Sequence, residues 1–250
     1  MEIIGMIHLE TLPGYKDYKD LGYVTRKALE EAEILEIGGV DAILIENSED
    51  HPHTEKIKPE AAKAYLKIAK QIVKKVTIPV GIIVLWNDYK AALQIAKESG
   101  AEFIRVPVFV DKFKTVAGII TGTPEDVIDF RKKIGAENIK IYTDIHVKHS
   151  RMLTKRPIEE SARDALTRGS DGLIITGKVT GDPPVIDDLK KTRKACPKAK
   201  ILVGSGTTTQ NMKALAKYAD ATIIGTYLKI NDQVDLKKVK EIVRLKNIQG

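Results

Sequence analysis

The sequence predicts a single (β/α)8 barrel that spans residues 1–250, and three observations lead to that prediction. Short runs rich in β-branched residues alternate with amphipathic helical stretches along the whole chain, which is typical of βαβ units and a parallel sheet. About eight such units fill the chain, and 250 residues is an ordinary length for one barrel. The joins after the strands are longer than the joins before them, and in barrels those longer joins build the active-site face.

The predicted strands are the short apolar runs, which lie at residues 3–9, 41–46, 78–85, 102–107, 139–146, 171–176, 200–204 and 221–225. The predicted helices lie between them, at residues 25–37, 59–76, 88–99, 124–134, 158–168, 185–195, 208–217 and 236–246. Weak internal repetition supports this division. A helix end, a glycine, an acidic residue and an apolar strand recur in EIGGVDAIL, ESGAEFIRV, KIGAENIKI and TRGSDGLII.

Composition and charge exclude several classes of protein. The chain is 43% hydrophobic and 30% charged, as in ordinary globular proteins, and no apolar run approaches the length of a membrane span. A single cysteine, Cys196, excludes internal disulfides and, with no signal-peptide pattern at the start, predicts a cytoplasmic protein. The net charge of +7 comes from lysines spread among glutamates on predicted helices, so nucleic acid is not an expected partner. We expect a homo-oligomer, because symmetric assembly is common among such proteins.

The last two predicted strands end in glycine-rich turns, and this pattern predicts an anion site. Glycine lets backbone amides approach a ligand closely, and barrels often hold phosphate in the loops after their last two strands. A helix that starts beside such a turn would add its unpaired N–H groups. The predicted phosphate-binding residues are Gly204, Ser205, Gly206, Thr207, Gly225 and Thr226, with Gly177 after the sixth strand as an extension.

Side-chain alternation predicts which polar groups face the barrel interior. In the segment IKIYTDIHVK, alternate residues are apolar, so Tyr142, Asp144, His146 and Lys148 share the opposite, inward face. The same alternation directs His8, Glu46 and Arg105 inward from the first, second and fourth strands. A charged group inside a barrel is costly unless it is paired or used. The candidate catalytic residues are therefore Asp144, His146, Glu46, His8, Lys148 and Arg105.

In the catalytic interpretation, Asp144 or His146 moves a proton, with Glu46 or His8 as its counterpart. Lys148 or Arg105 would stabilise developing negative charge. The structural alternative is a buried network in which Arg105 pairs with Glu46 or Asp144 and only stabilises the interior. The sequence identifies no cofactor, and no G-x-G-x-x-G fingerprint supports redox work. A divalent metal held by the histidines and carboxylates is less favoured, because no short ligand signature such as H-E-x-x-H is present.

Five segments in this chain resemble the BtpA/SgcQ family: GMIHLETLPG, DAILIENSEDHP, TDIHVKHS, SDGLIITGKVTGDPP and VGSGTTTQN. They occur in the family's order and span nearly the whole chain. The resemblance implies a TIM barrel grouped with phosphate-binding barrels, and it carries over no catalytic residues.

Two functions remain after these observations. The first is an isomerase or lyase that acts on a small phosphorylated metabolite, such as a sugar or ribosyl phosphate. The second is a non-catalytic assembly factor, because the family takes its name from a cyanobacterial protein needed for stable photosystem I. Peripheral attachment to a membrane is a variant of this second function. A bare apolar surface patch would favour the second function.

Overall fold

The computed structural model describes residues 1–247, and within them the chain folds around a closed barrel. The strands are β1 (Glu2–His8), β2 (Ala42–Glu46), β3 (Val80–Ile83), β4 (Phe103–Val106), β5 (Lys112–Thr115), β6 (Gly118–Thr121), β7 (Lys140–Ile145), β8 (Arg151–Met152), β9 (Gly172–Ile175), β10 (Ile201–Val203), β11 (Ala221–Ile224), β12 (Lys229–Ile230) and β13 (Gln233–Val234). The helices are α1 (Leu21–Gly38), α2 (Pro59–Lys75), α3 (Tyr89–Ser99), α4 (Pro124–Lys133), α5 (Ile158–Thr167), α6 (Ile186–Ala195), α7 (Met212–Leu215) and α8 (Leu236–Asn247).

Eight parallel strands form the barrel in the order β1-β2-β3-β4-β7-β9-β10-β11, and β11 pairs with β1 to close it. The predicted (β/α)8 fold is therefore confirmed. The register sets which side chains become neighbours. Ile4 pairs with Ala42 and His8 pairs with Glu46 across β1 and β2, so the polar ends of these two strands lie side by side.

Two apolar layers follow from the alternation of side chains along each strand. An outer layer between strands and helices includes Ile3, Ile7, Ile43 and Ile45. An inner layer fills the barrel, as in other closed barrels of eight strands. Its members are Ile4, Met6, Ala42, Leu44, Ile83, Phe103, Tyr142, Ile174, Leu202, Ala221 and Ile223. The predicted inward direction of Tyr142 is thus confirmed.

A small antiparallel sheet in the order β6-β5-β8 lies beside the mouth of the barrel. The sequence pattern predicts a single loop over residues 108–123, where the structure has β5 and β6. Strand β5 alternates exposed and buried residues, and Gly118 makes the turn to β6 with a φ of 108°. Phe113, Ile120, Trp86, Val108 and Val147 form a separate apolar cluster with this sheet.

The helix predicted at residues 208–217 is mostly absent, since α7 covers only Met212–Leu215. Asn211 explains the shortening. Its Oδ1 accepts a hydrogen bond from the Thr208 amide at 2.8 Å, and its Nδ2 donates to the Gly206 carbonyl at 2.8 Å. Such local side-chain bonds compete with helical backbone bonds. The start of α1 also differs from the prediction, because the Asp20 carboxylate accepts from the amides of Gly22 and Tyr23 and caps the helix early.

Candidate functional site

The carboxyl ends of the barrel strands surround a cavity with two connected lobes. The larger lobe has a volume of about 560 Å³ and the smaller lobe about 240 Å³. The larger lobe reaches from the barrel centre toward the small sheet, and the smaller lobe lies against the ends of β10 and β11. The residues that line both lobes are His8, Glu46, Arg105, Lys148, Thr180 and Thr226. Four of the six predicted catalytic side chains therefore face one cavity.

Arg105 and Asp144 form a buried, bidentate ion pair at the base of the cavity. Arg105 donates through Nε and Nη2 to the two carboxylate oxygens of Asp144, each at 2.7 Å. Their side chains are 6% and 0% exposed. Asp144 points inward, as its strand position predicts, but both of its oxygens are engaged by Arg105. The structural alternative, in which Arg105 pairs with Asp144, describes this part of the site.

His8 and Glu46 form a second polar pair at the ends of β1 and β2. The distance from His8 Nε2 to Glu46 Oε2 is 3.5 Å, and both side chains are partly exposed to the cavity. Burial lowers the pKa of His8, although the Glu46 carboxylate acts in the opposite direction. The imidazole is therefore mainly neutral at neutral pH and able to accept a proton.

Lys148 lies in the cavity just beyond the end of β7. Burial lowers the pKa of its amine, and the positive charge of Arg105 lowers it further against the opposing effect of Glu46 and Asp144. Its Nζ donates to the Thr180 hydroxyl at 3.4 Å. The next residue, His149, accepts a hydrogen bond at Nε2 from the Thr180 amide at 3.1 Å. This contact joins the loop after β7 to the loop after β9.

His146 does not face the cavity, and the prediction that it does is wrong. Strand β7 ends at Ile145, and His146 adopts a left-handed backbone with a φ of 56°. This conformation breaks the strict alternation of a strand. The imidazole is turned toward α5, where Nε2 lies 3.5 Å from the Ser161 hydroxyl. Burial lowers its pKa there.

Six predicted phosphate-binding residues line the smaller lobe: Gly204, Ser205, Gly206, Thr207, Gly225 and Thr226. A Cβ would meet an atom closer than 3.0 Å at all three of these glycines, including Ile174 Cγ2 at 2.6 Å from Gly204, and only at Gly206 does that atom belong to the backbone. A Cβ on Gly225 would lie 2.7 Å from His8 Cε1, and a Cβ on Gly206 would overlap the backbone of Pro183. The expected contribution of a long helix N-terminus is absent at this lobe, because α7 begins only at Met212.

Gly177, predicted as an extension of the anion site, does not line either lobe. Its amide donates to the Ser205 hydroxyl at 3.2 Å, and that hydroxyl donates to the Asp182 carbonyl at 2.8 Å. A Cβ on Gly177 would overlap the Asp182 carbonyl oxygen. Gly177 therefore allows the loop after β9 to fold tightly against the turn after β10.

The sequence matches the model of the BtpA family over residues 1–248. The chain belongs to the BtpA family. An uncharacterized protein of Pyrococcus furiosus is 36% identical over 98% of this chain and 94% of its own length. The photosystem I biogenesis protein BtpA of Synechocystis is 34% identical over 96% of this chain and 86% of its own length.

Solved structures similar to this BtpA-family chain are also barrels. N-(5'-phosphoribosyl)anthranilate isomerase from Pyrococcus furiosus superimposes with a TM-score of 0.60 at 18% identity, covering 99% of this chain and all of that one. Phosphoribosyl anthranilate isomerase from Thermus thermophilus gives a TM-score of 0.62 at 12% identity, with coverage of 99% and 100%. At these identities the likeness shows the fold alone.

Several residues that line the larger lobe of this BtpA-family member were not predicted. Lys27 on α1 bonds Glu10, and Lys229 on β12 lies 3.1 Å from Glu31, so two lysine–glutamate pairs form one wall. His53 and His149 also reach this lobe. Strand alternation could not find these side chains, because all of them come from loops, a helix or the β12–β13 hairpin. The sequence does contain a signal for that hairpin, the pair Asn231-Asp232. Such pairs are common in tight turns, and both residues have positive φ in the structure.

Within residues 1–247, no group of three or more histidine, cysteine, aspartate or glutamate side chains is arranged to hold a metal ion. The Arg105–Asp144 ion pair and the turn at His146 explain why His8, Glu46, Asp144 and His146 do not converge on one point. Arg105 occupies the carboxylate of Asp144, and His146 is directed at α5. None of the helices described here is both long and apolar enough to cross a membrane.

Proposed function

We propose that this BtpA-family protein is an isomerase or lyase that acts on a small phosphorylated metabolite such as a sugar or ribosyl phosphate. One observation carries the proposal. The glycine-rich ends of β10 and β11 and the side chains of His8, Glu46, Arg105 and Lys148 line the same cavity. A ligand that binds to the backbone of the smaller lobe therefore extends toward groups capable of proton transfer.

The smaller lobe suits a phosphate group. Gly204 and Gly225 leave the backbone open to a ligand, and Thr226 adds a hydroxyl donor. Arg105 is near this turn, since a Cβ on Gly204 would lie 3.6 Å from its Nη2. The charge of Arg105 is balanced by Asp144, so the donors offered to a phosphate group at this lobe are backbone amides and hydroxyls.

His8 and Glu46 are the groups best placed for proton transfer. They lie together at 3.5 Å, and His8 borders the smaller lobe beside Gly225. A neutral imidazole beside a carboxylate can accept a proton from the substrate and return it at another atom. Asp144 is assigned a positioning role in this proposal, because its oxygens hold Arg105 in place.

A ligand panel with matched variants tests this function. The melting temperature of the protein is measured with sugar phosphates and with the same sugars without phosphate. We expect only the phosphorylated compounds to raise it. His8→Gln and Glu46→Gln should keep that shift but lose turnover of the binding compound by about 10²-fold or more. A panel that produces no shift at millimolar concentration would contradict the proposal.

An assembly role is the second candidate, and one surface feature favours it. Val116 and Ile119, in and beside the turn of the β5–β6 hairpin, are 73% and 59% exposed. The Synechocystis relative is named as a photosystem I biogenesis protein, which is consistent with contacts to other proteins. Capture of a stoichiometric protein partner from the native organism, lost in Val116→Asp/Ile119→Asp, would support this role over the enzymatic one.

A further inference from the structure

We propose that Lys148 forms a Schiff base with the substrate, so that the substrate is a phosphorylated aldehyde or ketone. The phosphate part of this inference rests on the function proposed above. The amine part rests on the position, charge environment and backbone geometry of Lys148 alone.

Lys148 differs from the other two lysines of the larger lobe in its partners. Lys27 is bonded to Glu10, and Lys229 lies 3.1 Å from Glu31. Among residues 1–247, no carboxylate lies within 4.0 Å of Lys148 Nζ, and its hydrogen-bond partner is the neutral hydroxyl of Thr180. Lys148 is also the one of the three that lines both lobes.

The charged groups around Lys148 come from several elements. Arg105 on β4 disfavours a protonated amine, Glu46 on β2 and Asp144 on β7 favour it, and the neutral imidazole of His8 on β1 adds no charge. His149, the neighbour on the same turn, is a neutral hydrogen-bond acceptor to Thr180. Because Arg105 cancels the charge of Asp144, burial dominates and more of the amine is unprotonated at neutral pH than in an exposed lysine.

The backbone on either side of Lys148 fixes where the amine is presented. His146 and His149 both adopt left-handed conformations, with φ of 56° and 55°. Non-glycine residues rarely adopt such angles, and they occur often at functional sites where surrounding contacts hold them. Here the contacts are His146 with Ser161 and His149 with Thr180. Because of this turn, the Lys148 side chain lies in the cavity even though its residue is beyond the end of β7 at Ile145.

The chemistry balances without an oxidant, a reductant or a further reactant. The unprotonated Lys148 nitrogen adds to the carbonyl carbon, and the C=O π electrons form an alkoxide that takes up a proton. The nitrogen passes one of its protons to the resulting hydroxyl, which leaves as water and gives a protonated C=N bond. That bond takes up the electron pair released when His8 or Glu46 removes a proton from the neighbouring carbon, or when the next C–C bond of the substrate breaks, and the product is an enamine. Return of a proton to the enamine carbon restores the protonated C=N bond. Addition of water regenerates Lys148 and the product carbonyl.

Reductive trapping on the wild-type protein tests the inference. Pyridoxal 5′-phosphate and pyridoxal are two aldehydes that differ in one phosphate, and borohydride makes their lysine adducts permanent. Each is incubated with the protein at pH 7 and the modified peptides are identified by mass spectrometry. We expect Lys148 to be modified severalfold faster than Lys27 or Lys229, and faster with pyridoxal 5′-phosphate than with pyridoxal.

The outcomes separate the two proposals. Preferential modification of Lys148 at equal rates by both aldehydes would support the Schiff base and contradict the phosphate site. If Lys27 and Lys229 were modified at least as fast as Lys148, the Schiff-base proposal would be overturned. That conclusion would hold whatever the thermal-shift panel of sugar phosphates shows. Lys148→Met removes the amine without adding a buried charge and should abolish trapping at this position, whereas Lys27→Arg should leave trapping at Lys148 intact.

Discussion

Arg105 on β4 and Asp144 on β7 are joined by two parallel hydrogen bonds of 2.7 Å inside the barrel, where water scarcely reaches either side chain. Such bidentate pairs are the stronger kind of ion pair, and their planar geometry fixes both partners. The pair thus sets the direction in which Arg105 faces the cavity. Because the pair is buried, the candidate site also contains two residues that the folded protein needs for its stability.

Removing the charge of Asp144 should strongly destabilise the protein. In Asp144→Asn the buried guanidinium of Arg105 loses its counter-ion, which typically costs about 3–5 kcal/mol. Urea unfolding of the variant and wild type measures the loss. Asp187→Asn is the matched control, because Asp187 forms an exposed pair with Lys191 and should change stability little. Equal unfolding midpoints for the two variants would contradict a structural role for the buried pair.

Gly225→Ala should weaken ligand binding with only a moderate effect on folding. The new Cβ would lie 2.7 Å from His8 Cε1, so the added methyl group narrows the wall of the smaller lobe and the imidazole must shift to make room for it. We expect affinity for a phosphorylated ligand to fall about tenfold, and stability to fall by about 1 kcal/mol.

Gly118→Ala is the control for that substitution. Gly118 has a φ of 108° in the β5–β6 turn, and a Cβ there has no atom within 4 Å. The variant should lose about 1–2 kcal/mol to backbone strain while its ligand affinity stays unchanged. If both variants bound ligand like wild type, the smaller lobe would not be the binding site.

Stability should fall as the pH drops below about 6.5, because burial lowers the pKa of His8, His53, His146 and His149 in the folded protein. In that range the unfolded chain binds protons that the folded chain does not, which favours unfolding. Above about 6.5 these imidazoles are neutral in both states and contribute nothing.

His146→Asn isolates one of these contributions. Asparagine tolerates the left-handed backbone at this position, so the turn should survive. The melting temperature of the variant should decline less than that of wild type between pH 7.5 and pH 5.5. Parallel melting profiles across this range would show that His146 titrates alike in the folded and unfolded states.

Cys196 should be unreactive in the folded protein. The thiol follows α6 with 6% of the residue exposed, and burial raises its pKa, so little thiolate forms at pH 8. A chromogenic disulfide reagent should modify it slowly in native buffer and within minutes in concentrated urea. Rapid native modification would mean that this end of α6 opens readily.

Strand alternation was sufficient to predict the barrel interior. His8, Glu46, Arg105 and Asp144 all lie within regular strands, where every second side chain must face inward, and each lies where that rule places it. The inward polar groups could be predicted because the apolar residues between them fix the other face of each strand.

Residues beyond the strand ends could not be placed in the same way. His146 lies one residue past β7, and its left-handed backbone turns it away. Lys148 nevertheless reaches the cavity because of the turn and not because of strand alternation. The pairing of Arg105 with Asp144 instead of Glu46 depends on barrel geometry that a single sequence does not contain. Lys27 and Lys229 required the positions of α1 and the β12–β13 hairpin.

The small sheet beside the mouth has a consequence for loop engineering. Strands β5 and β6 belong to the loop after β4, whereas β8 belongs to the loop after β7, and Phe113 pairs with Met152 between them. Arg156 and Asp111 add an ion pair of 2.6 Å between the same two loops. Grafting either loop alone from a relative would therefore leave an unmatched edge, and functional chimeras should arise only when both loops are transplanted together.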